Sequence, residues 1–524
     1  MDEKNCLDTG FARDESEREI TTITDFSVAQ QSVQISIDVE KATRNATADA
    51  HQQPALEAPA SHQNNIVDWN SPDDPENPQN WSGRKKWTII ILVSVVTFNQ
   101  AMSSTIFAPG VPQAMRDFHS TNQSLVPLLI SIFSIGLAVG PLFLSPLSEL
   151  YGRTPLMHMS NLMFLLSAIL CAVSVNIPML LVFRLIMGVS NTSLGGGYVA
   201  DLMMPEHRGR AMNVWTVGPV LAPVIGPIAG GFISLKTSWR WAFGLVGFTG
   251  ALLTVVCFTL LSETYPPCLL ELRAVRLRKE TGNPQLRSKY DKGLTPAQLL
   301  RLSLIRPAKM LVRSPIVVIV SLFLAIGYSY MYLMFTTFTS VFETTYGFSS
   351  GEAGLTYLGI GIGSLLGQYA LDFFMKRHIK KQLAKNGEVQ PEDHLPSLIF
   401  AGFFMSIGLF CYGWSLEYKV HWMVPILGTS LCGVAIIIFF LAVQTYLVEA
   451  YTIYAASAIA ASTVVRCVFG LVVPLAGPPL YKGLGLGWGN TLLGFLSLTV
   501  SPASIWLLKY GERIRKNPRF IPKL

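Results

Sequence analysis

From Trp87 onward the chain is a succession of apolar runs, mostly about 20 residues long, divided by polar segments. A helix of that length crosses the hydrocarbon core of a bilayer. Within lipid every backbone polar group must be bonded inside the protein, so only helices and closed barrels can span. Barrel strands would show segments of about ten residues alternating in polarity, and these runs do not alternate. The expected fold is therefore an all-α integral membrane protein. Its candidate spans are 87–109, 124–145, 155–175, 178–201, 211–234, 241–261, 314–340, 351–372, 397–416, 422–446, 455–477 and 490–508. Twelve transmembrane helices thus fall into two groups of six around a polar loop. Only 14% of the residues are charged, against about 25% in soluble domains, which agrees with this reading. The chain divides into an acidic tail (1–80), a six-helix bundle (81–262), a central loop (263–313), a second six-helix bundle (314–510) and a basic tail (511–524).

The net charge of +7 conceals two opposite regions. Residues 1–80 hold 16 acids and 5 Lys/Arg, a net of −11, and the remainder carries a net of +18. The basic residues lie in loops between apolar runs, which is a topology signal for a bilayer partner rather than a nucleic-acid surface. With the N-terminus in the cytoplasm, one side collects Arg84, Lys85, Lys86, Arg153, Arg208, Arg210, 11 Lys/Arg in the segment 262–313 and 5 in 373–396. The other side holds only Arg116, Lys236, Arg240, Lys419 and Lys482. Both termini are therefore expected inside, most simply at the plasma membrane. The tail 1–80 is rich in Ser, Thr, Gln, Asn and acids and is expected to be mostly disordered. No signal peptide opens the chain, so the first span should direct insertion. Asn122-Gln-Ser falls in the first external loop and is the candidate glycan acceptor. The seven cysteines show no metal or redox spacing.

The two groups of spans repeat. Gly140, Glu149 and Arg153 recur 223 residues later as Gly363, Asp372 and Lys376, and Tyr198 and Asp201 recur 248 residues later as Tyr446 and Glu449. Parallel repeats place a pseudo-two-fold axis along the membrane normal, with a binding site near the midplane between halves. That arrangement points to transport of a small molecule.

Four features carry candidate chemistry. Glu149, Gly152 and Arg153 put a carboxylate, a tight turn and a cation together at the membrane surface, where charges from Asp201 and Arg208 can meet them. Arg184 lies inside span 4, where a charge normally faces a cavity or a partner. Span 5 carries three prolines and four glycines between Gly218 and Gly231, which suits a bent helix with a small-residue face that rocks against a partner. Arg466 is the deepest basic residue and has no acid in its own helix. Asn99, Gln100, Asn191, Tyr328, Tyr330, Tyr332, Gln444 and Tyr446 are further cavity candidates. Other chemistries are missing: there is no Gly-Lys dipeptide, so no P-loop; the eight histidines form no HExxH motif or close pair. No cofactor, metal or catalytic triad is expected, and the chain does not read as an enzyme.

These residues resemble the major facilitator superfamily, and within it the fungal twelve-helix drug:proton antiporters. The likeness runs from about Asn80 to Tyr510. Pro146-Leu-Ser-Glu-Leu-Tyr-Gly-Arg153 is similar to the family's signature in the loop between spans 2 and 3. Arg184 to Gly188 resembles its span 4 arginine motif, Asp201 with Arg208-Gly-Arg-Ala211 its loop 4–5 element, and Gly226-Pro-Ile-Ala-Gly-Gly231 the core of its span 5 antiporter motif. Ser145, Thr154 and Ala222 depart from the usual pattern. The resemblance implies that Arg184 takes part in proton coupling. It implies that Glu149, Arg153 and Asp201 belong to a gating charge network, to which the loop 4–5 element adds Arg208 and the internal repeat adds Asp372 and Glu449, and that Gly226, Pro227, Gly230 and Gly231 favour proton-driven efflux of small organic compounds (drugs, toxins or secondary metabolites). The partners expected are a small-molecule substrate, protons and lipid, and the chain is expected to be monomeric. The alternative is a proton-coupled uptake symporter for a nutrient such as a sugar, amine or vitamin.

Overall fold

The computed structural model describes residues 65–122, 124–191, 194–290, 296–387 and 389–517. The expectations for the acidic tail up to residue 64 and for the basic tail beyond 517 lie outside them. The first bundle contains span 1 (Gly83–Met102), span 2 (Leu125–Tyr151), span 3 (Arg153–Ala172), span 4 in two pieces (Ile177–Val189 and Gly195–Leu202), span 5 (Pro205–Lys236) and span 6 (Arg240–Leu260). The second contains span 7 (Pro315–Tyr346), span 8 (Ser350–Leu355 continuing as Leu358–Asn386), span 9 (Pro396–Glu417) and span 10 (Met423–Tyr451). Spans 11 and 12 share the helix Ala455–Leu498, bent where Gly485 takes φ 74°, and span 12 runs on into Val500–Arg515. Twelve crossings return the chain to the end it started from, here the near end; the opposite face is the far end.

The two bundles pack through the same small residues, which makes the sequence repeat a physical one. A Cβ on Gly140 of span 2 would strike the Val189 carbonyl of span 4, and a Cβ on its counterpart Gly363 of span 8 would strike the Ser430 carbonyl of span 10. Glycine here lets two helix backbones touch, which is the main attraction available between helices already surrounded by apolar lipid. The outward faces are apolar. Leu162, Leu166, Ile169 and Val173, at helical spacing on span 3, are exposed, as are Phe248, Leu252 and Val255 on span 6. A soluble protein does not present such a surface, and a bilayer covers it.

Several expected boundaries move. Span 8 continues as helix to Asn386, past the end of its apolar run, because Lys and Gln are good helix formers and no breaker intervenes. The central loop carries two helices, Pro266–Thr281 and Pro296–Arg313. Residues 65–80, expected to be disordered, dock on that loop. The strand β1 (Ile66–Val67) pairs in parallel with β2 (Arg287–Ser288). Arg273 bonds Asp74 at 2.9 Å, and Lys289 meets Asp68 at 2.6 Å. Composition cannot foresee this, since each acid finds its cation about 200 residues away. The Arg273 guanidinium, aided by the backbone N–H groups of Asn70 and Glu76, holds the Asp74 carboxyl down to about 2 from 3.8. A carboxyl depressed in the folded state stabilises it above the unfolded value and ceases to as pH falls through the folded one. The latch should therefore hold above pH 3.8 and loosen toward pH 2. Asp74→Asn should release residues 65–80 at neutral pH, seen as faster amide hydrogen exchange there and unchanged exchange in the spans.

Candidate functional site

Between the bundles lies a cavity of about 320 Å3. Its lining comes from spans 1, 2, 4 and 5 of one bundle and spans 7, 8, 10 and 11 of the other. Each contributing span in the first half is thus matched by the span six places on, as a pseudo-two-fold site requires. The lining residues on each helix follow the three-to-four residue period of a single face: Thr97 and Ala101 on span 1, then Ser104 just past its end, and Leu324, Tyr328, Met331, Tyr332 and Phe335 on span 7. Phe133, Tyr357, Ile436 and Phe440 make the wall mostly apolar and aromatic. Among the described residues that line it, Arg466 is the one charged side chain and none carries a carboxylate or imidazole.

Arg466 sits over the Tyr328 ring at 4.6 Å and the Phe440 ring at 5.7 Å. Its Nε has no hydrogen-bond acceptor, and among the described residues no carboxylate pairs with it. Tyr328 donates to the Tyr332 hydroxyl at 3.5 Å. Of the residues proposed from sequence, Asn191, Tyr328, Tyr332 and Arg466 line the cavity. Asn99 and Gln100 do not. Asn99 bonds the Val246 carbonyl of span 6 at 3.3 Å, and Gln100 bonds Asn161 of span 3 at 3.1 Å, so both fasten span 1 to its own bundle. Tyr330 bonds the Leu493 carbonyl at 2.9 Å. Gln444 and Tyr446 also lie off the wall, with the Gln444 Oε1 and the Tyr446 hydroxyl buried and unbonded. Sequence reading missed Thr97, Trp215, Thr216, Tyr357 and Ser364 on the lining.

Arg184 does not face the cavity but stands one layer behind it. It is 0% exposed. Its guanidinium donates to the carbonyls of Ser103 at 3.1 Å, Ser104 at 3.0 Å and Ile130 at 3.3 Å. The rings of Phe107, Phe133 and Phe243 surround it at 5.5, 5.6 and 5.7 Å. Span 1 ends at Met102, so the first two carbonyls belong to the break just beyond it. Arg184 therefore clasps the broken end of span 1 to span 2 from span 4, and its contacts Ser104 and Phe133 form part of the cavity wall.

The charge cluster forms at the near end of the first bundle. Gly152 turns the chain with φ 97°, and Arg153 follows it as the first residue of span 3, 9% exposed. Arg153 pairs with Asp201 at 3.3 Å, donates to the Ser148 hydroxyl at 2.7 Å and lies over the Tyr265 ring at 4.6 Å. Arg208 bonds the Ala200 carbonyl at 3.2 Å, a cation at a helix C-terminus. Glu149 stays exposed and outside the pair. Glu263 is the member missed from sequence. Its carboxylate accepts from the backbone N–H groups of Arg153, Thr154, Thr264 and Tyr265 at 2.9–3.0 Å, so the end of span 6 caps the start of span 3. Glu263→Ala leaves those donors without their acceptor and is expected to cost roughly 1–3 kcal/mol, read as a lower midpoint in thermal unfolding of purified protein, with Glu263→Gln intermediate.

The second bundle builds its cluster differently. Met375 stands where the repeat would put the turning glycine, so span 8 does not break, and the expected counterparts Asp372 and Lys376 pair with each other at 2.8 Å on the exposed helix surface. The partner of Glu449 is His394, at 3.0 Å, just before span 9. Arg515 of span 12 holds Glu392 in the same segment at 3.0 Å. His394 thus occupies the place that Arg153 takes in the first bundle.

The antiporter-type segment divides its residues between two faces. Gly226 and Gly230 lie against span 1 and the turn after it, where a Cβ on Gly226 would stand 3.0 Å from the Met102 carbonyl oxygen and one on Gly230 would strike that of Ile106. Pro227 and Gly231 face the other bundle: a Cβ on Gly231 would stand 2.5 Å from the Ser350 carbonyl oxygen, and one on Gly354 of span 8 would stand 2.6 Å from that of Pro227. These contacts join the halves at the far end, beyond the cavity. Asn122 is exposed at that end and accepts from the Ser124 backbone N–H at 3.0 Å. No metal-holding cluster occurs among the described residues.

The sequence profile of the Major Facilitator Superfamily matches residues 93–474. "Efflux pump radE" of Floropilus chiversii is 45% identical over 466 residues, covering 88% of this chain and 86% of its own length. "MFS-type transporter penM" of Penicillium rubens is 45% identical, covering 87% and 90%. "MFS-type transporter atr4" of Stereocaulon alpinum is 43% identical, covering 92% and 88%. Among solved structures, that of a D-xylose-proton symporter superposes with a TM-score of 0.61 at 16% identity, covering 84% of this chain and all of that one, which shows the shared fold. With two matched helix bundles, a cavity between them and relatives of this closeness along nearly the whole chain, the protein belongs to the major facilitator superfamily and is a multi-pass membrane transporter.

Proposed function

We propose that the protein exports small, largely apolar organic compounds from the cytoplasm in exchange for protons, by alternating access of a central site. The observation that carries this reading is the cavity itself: it draws on both bundles and is walled mainly by apolar and aromatic side chains. An adaptable apolar wall suits drug-like or toxin-like cargo. A sugar, the cargo of the alternative uptake reading, would need a hydrogen-bond partner for nearly every hydroxyl it buries, and this wall is poor in them. The relative named as an efflux pump favours export. The segment Gly226–Gly231 supports the rocking motion, because its glycines permit close backbone approach both within its bundle and across to span 8. The lysine and arginine bias supports cytoplasmic termini, with the near end inside, Asn122 on the outer side as glycan acceptor, and the plasma membrane as location. The protein works as a monomer and transforms nothing.

Among the described residues the cavity wall holds no carboxylate or imidazole, so Arg184 couples from behind the wall rather than beside bound cargo. Arg153, Asp201, Arg208 and Glu449, with His394, hold the near-end charge network; Asp372 contributes through its pair with Lys376. The test is cellular. In a host lacking its own efflux pumps, expression should lower the accumulation of an apolar fluorescent dye, and a protonophore should restore it. Accumulation that rises on expression would favour the uptake reading.

A further inference from the structure

We infer that the cargo is an apolar organic acid carried as its anion, with the acidic group anchored on Arg466 and the Tyr332 hydroxyl. This rests on the reading of the cavity as the transport site and narrows its substrate class. Two cations stand at the cavity, Arg184 fully buried and Arg466 half-buried, and among the described residues neither has a carboxylate partner. Arg466 is on the wall. Arg184 is one layer behind it, and its three acceptors are neutral carbonyls. Tyr332 lies within electrostatic reach of both guanidinium groups.

Among the described residues no acid pairs with Arg466 to offset the cost of drawing it partly out of water. An anion entering the cavity would supply that partner, and desolvation would make the pairing strong in both senses: favourable for a carboxylate and unfavourable for a cation. The guanidinium fork matches two oxygens of one carboxylate. Its Nε–H lacks a protein acceptor. The Tyr332 hydroxyl accepts from Tyr328 and keeps its own proton to donate, and Asn191 adds an amide on the same wall. The one charge among the described lining residues is positive, and Phe133, Met331, Phe335, Ile436 and Phe440 offer the rest of the ligand an apolar bed. The class is therefore an aromatic or aliphatic body with a single carboxylate or an acidic enol or phenol.

Binding of three matched probes to the full-length protein in nanodiscs tests this: 1-naphthaleneacetate, its neutral amide and the 1-naphthylmethylammonium cation. The acetate should bind at least about tenfold more tightly than the amide, and the cation most weakly. Arg466→Gln should bring acetate down to the affinity of the amide and leave the amide unchanged. Arg466→Lys should keep the order acetate, amide, cation with a smaller gap. Amide or cation binding as tightly as acetate to the unaltered protein would overturn the proposal, and so would an unchanged acetate preference in Arg466→Gln. The probe order in the unaltered protein decides the matter even where a variant fails to fold. The measurement is of binding alone, so anion preference without proton-driven flux would count against the exporter reading and not this one, and flux of neutral compounds without anion preference would do the reverse.

Discussion

Arg184→Ala is expected to abolish proton-coupled flux while the protein still inserts in the membrane. The side chain is fully buried and spends its donors on three backbone carbonyls, two in the break after span 1 and one in span 2. Alanine leaves those carbonyls without donors in a dry interior and opens a void among Phe107, Phe133 and Phe243. The clasp between spans 1, 2 and 4 is then lost at the point where Ser104 and Phe133 form the cavity wall. Each buried carbonyl left without a donor costs about 1–3 kcal/mol, enough to displace this part of the wall, so residual flux should lie near the background of empty vesicles. Arg184→Lys should be nearly as defective, because one ammonium group cannot reproduce a planar fork aimed at separate carbonyls. Surface expression and elution as a single species on size exclusion show that the loss is functional. Coupled flux at the ordinary rate in Arg184→Lys would show that the geometry of the fork is immaterial.

The second large effect is expected from Gly231→Val. Its Cβ would stand 2.5 Å from the Ser350 carbonyl oxygen of the other bundle, a backbone atom that cannot rotate away. The clash exists only while the far end is closed. Overpacking of this kind costs about 1–3 kcal/mol, which shifts a two-state equilibrium by roughly 5–150-fold. The variant should populate the state open to the far side and export poorly. Gly354→Val should do the same from the opposite bundle, through the Pro227 carbonyl, whereas Gly83→Val, with nothing near it, should be silent. Labelling of Ile360→Cys, beneath the seal, by an impermeant maleimide from the far side reads the shift, on a background without the native cysteines. Equal labelling in all three variants would contradict the far-end seal.

The apolar runs made the fold legible, because the bilayer leaves a chain so few ways to satisfy its backbone. The matched glycines were legible too: Gly140 and Gly363 keep the same packing task in each half. What stayed hidden followed from the same apolarity. A span that is apolar all round carries no stripe to tell its lipid face from its cavity face, so Asn99 and Gln100 could not be separated from Thr97 and Ser104 by composition. The repeat itself misled at Asp372 and Lys376, since Met375 lacks the freedom at positive φ that lets Gly152 turn. The pairing of Glu449 with His394 and the four-donor grip of Glu263 join residues far apart in sequence, and nothing local announces them.

Flux into sealed vesicles that contain only this protein, driven by an imposed pH gradient, tests the central claim most directly. With an acidic interior, and with the near end of the protein outward, an apolar carboxylate such as 1-naphthaleneacetate should accumulate inside while protons leave in step with it. Collapse of the gradient should stop both, and Arg184→Ala vesicles should show neither. Uptake of the compound at the same rate with no gradient, or with no accompanying movement of protons, would contradict proton-coupled export.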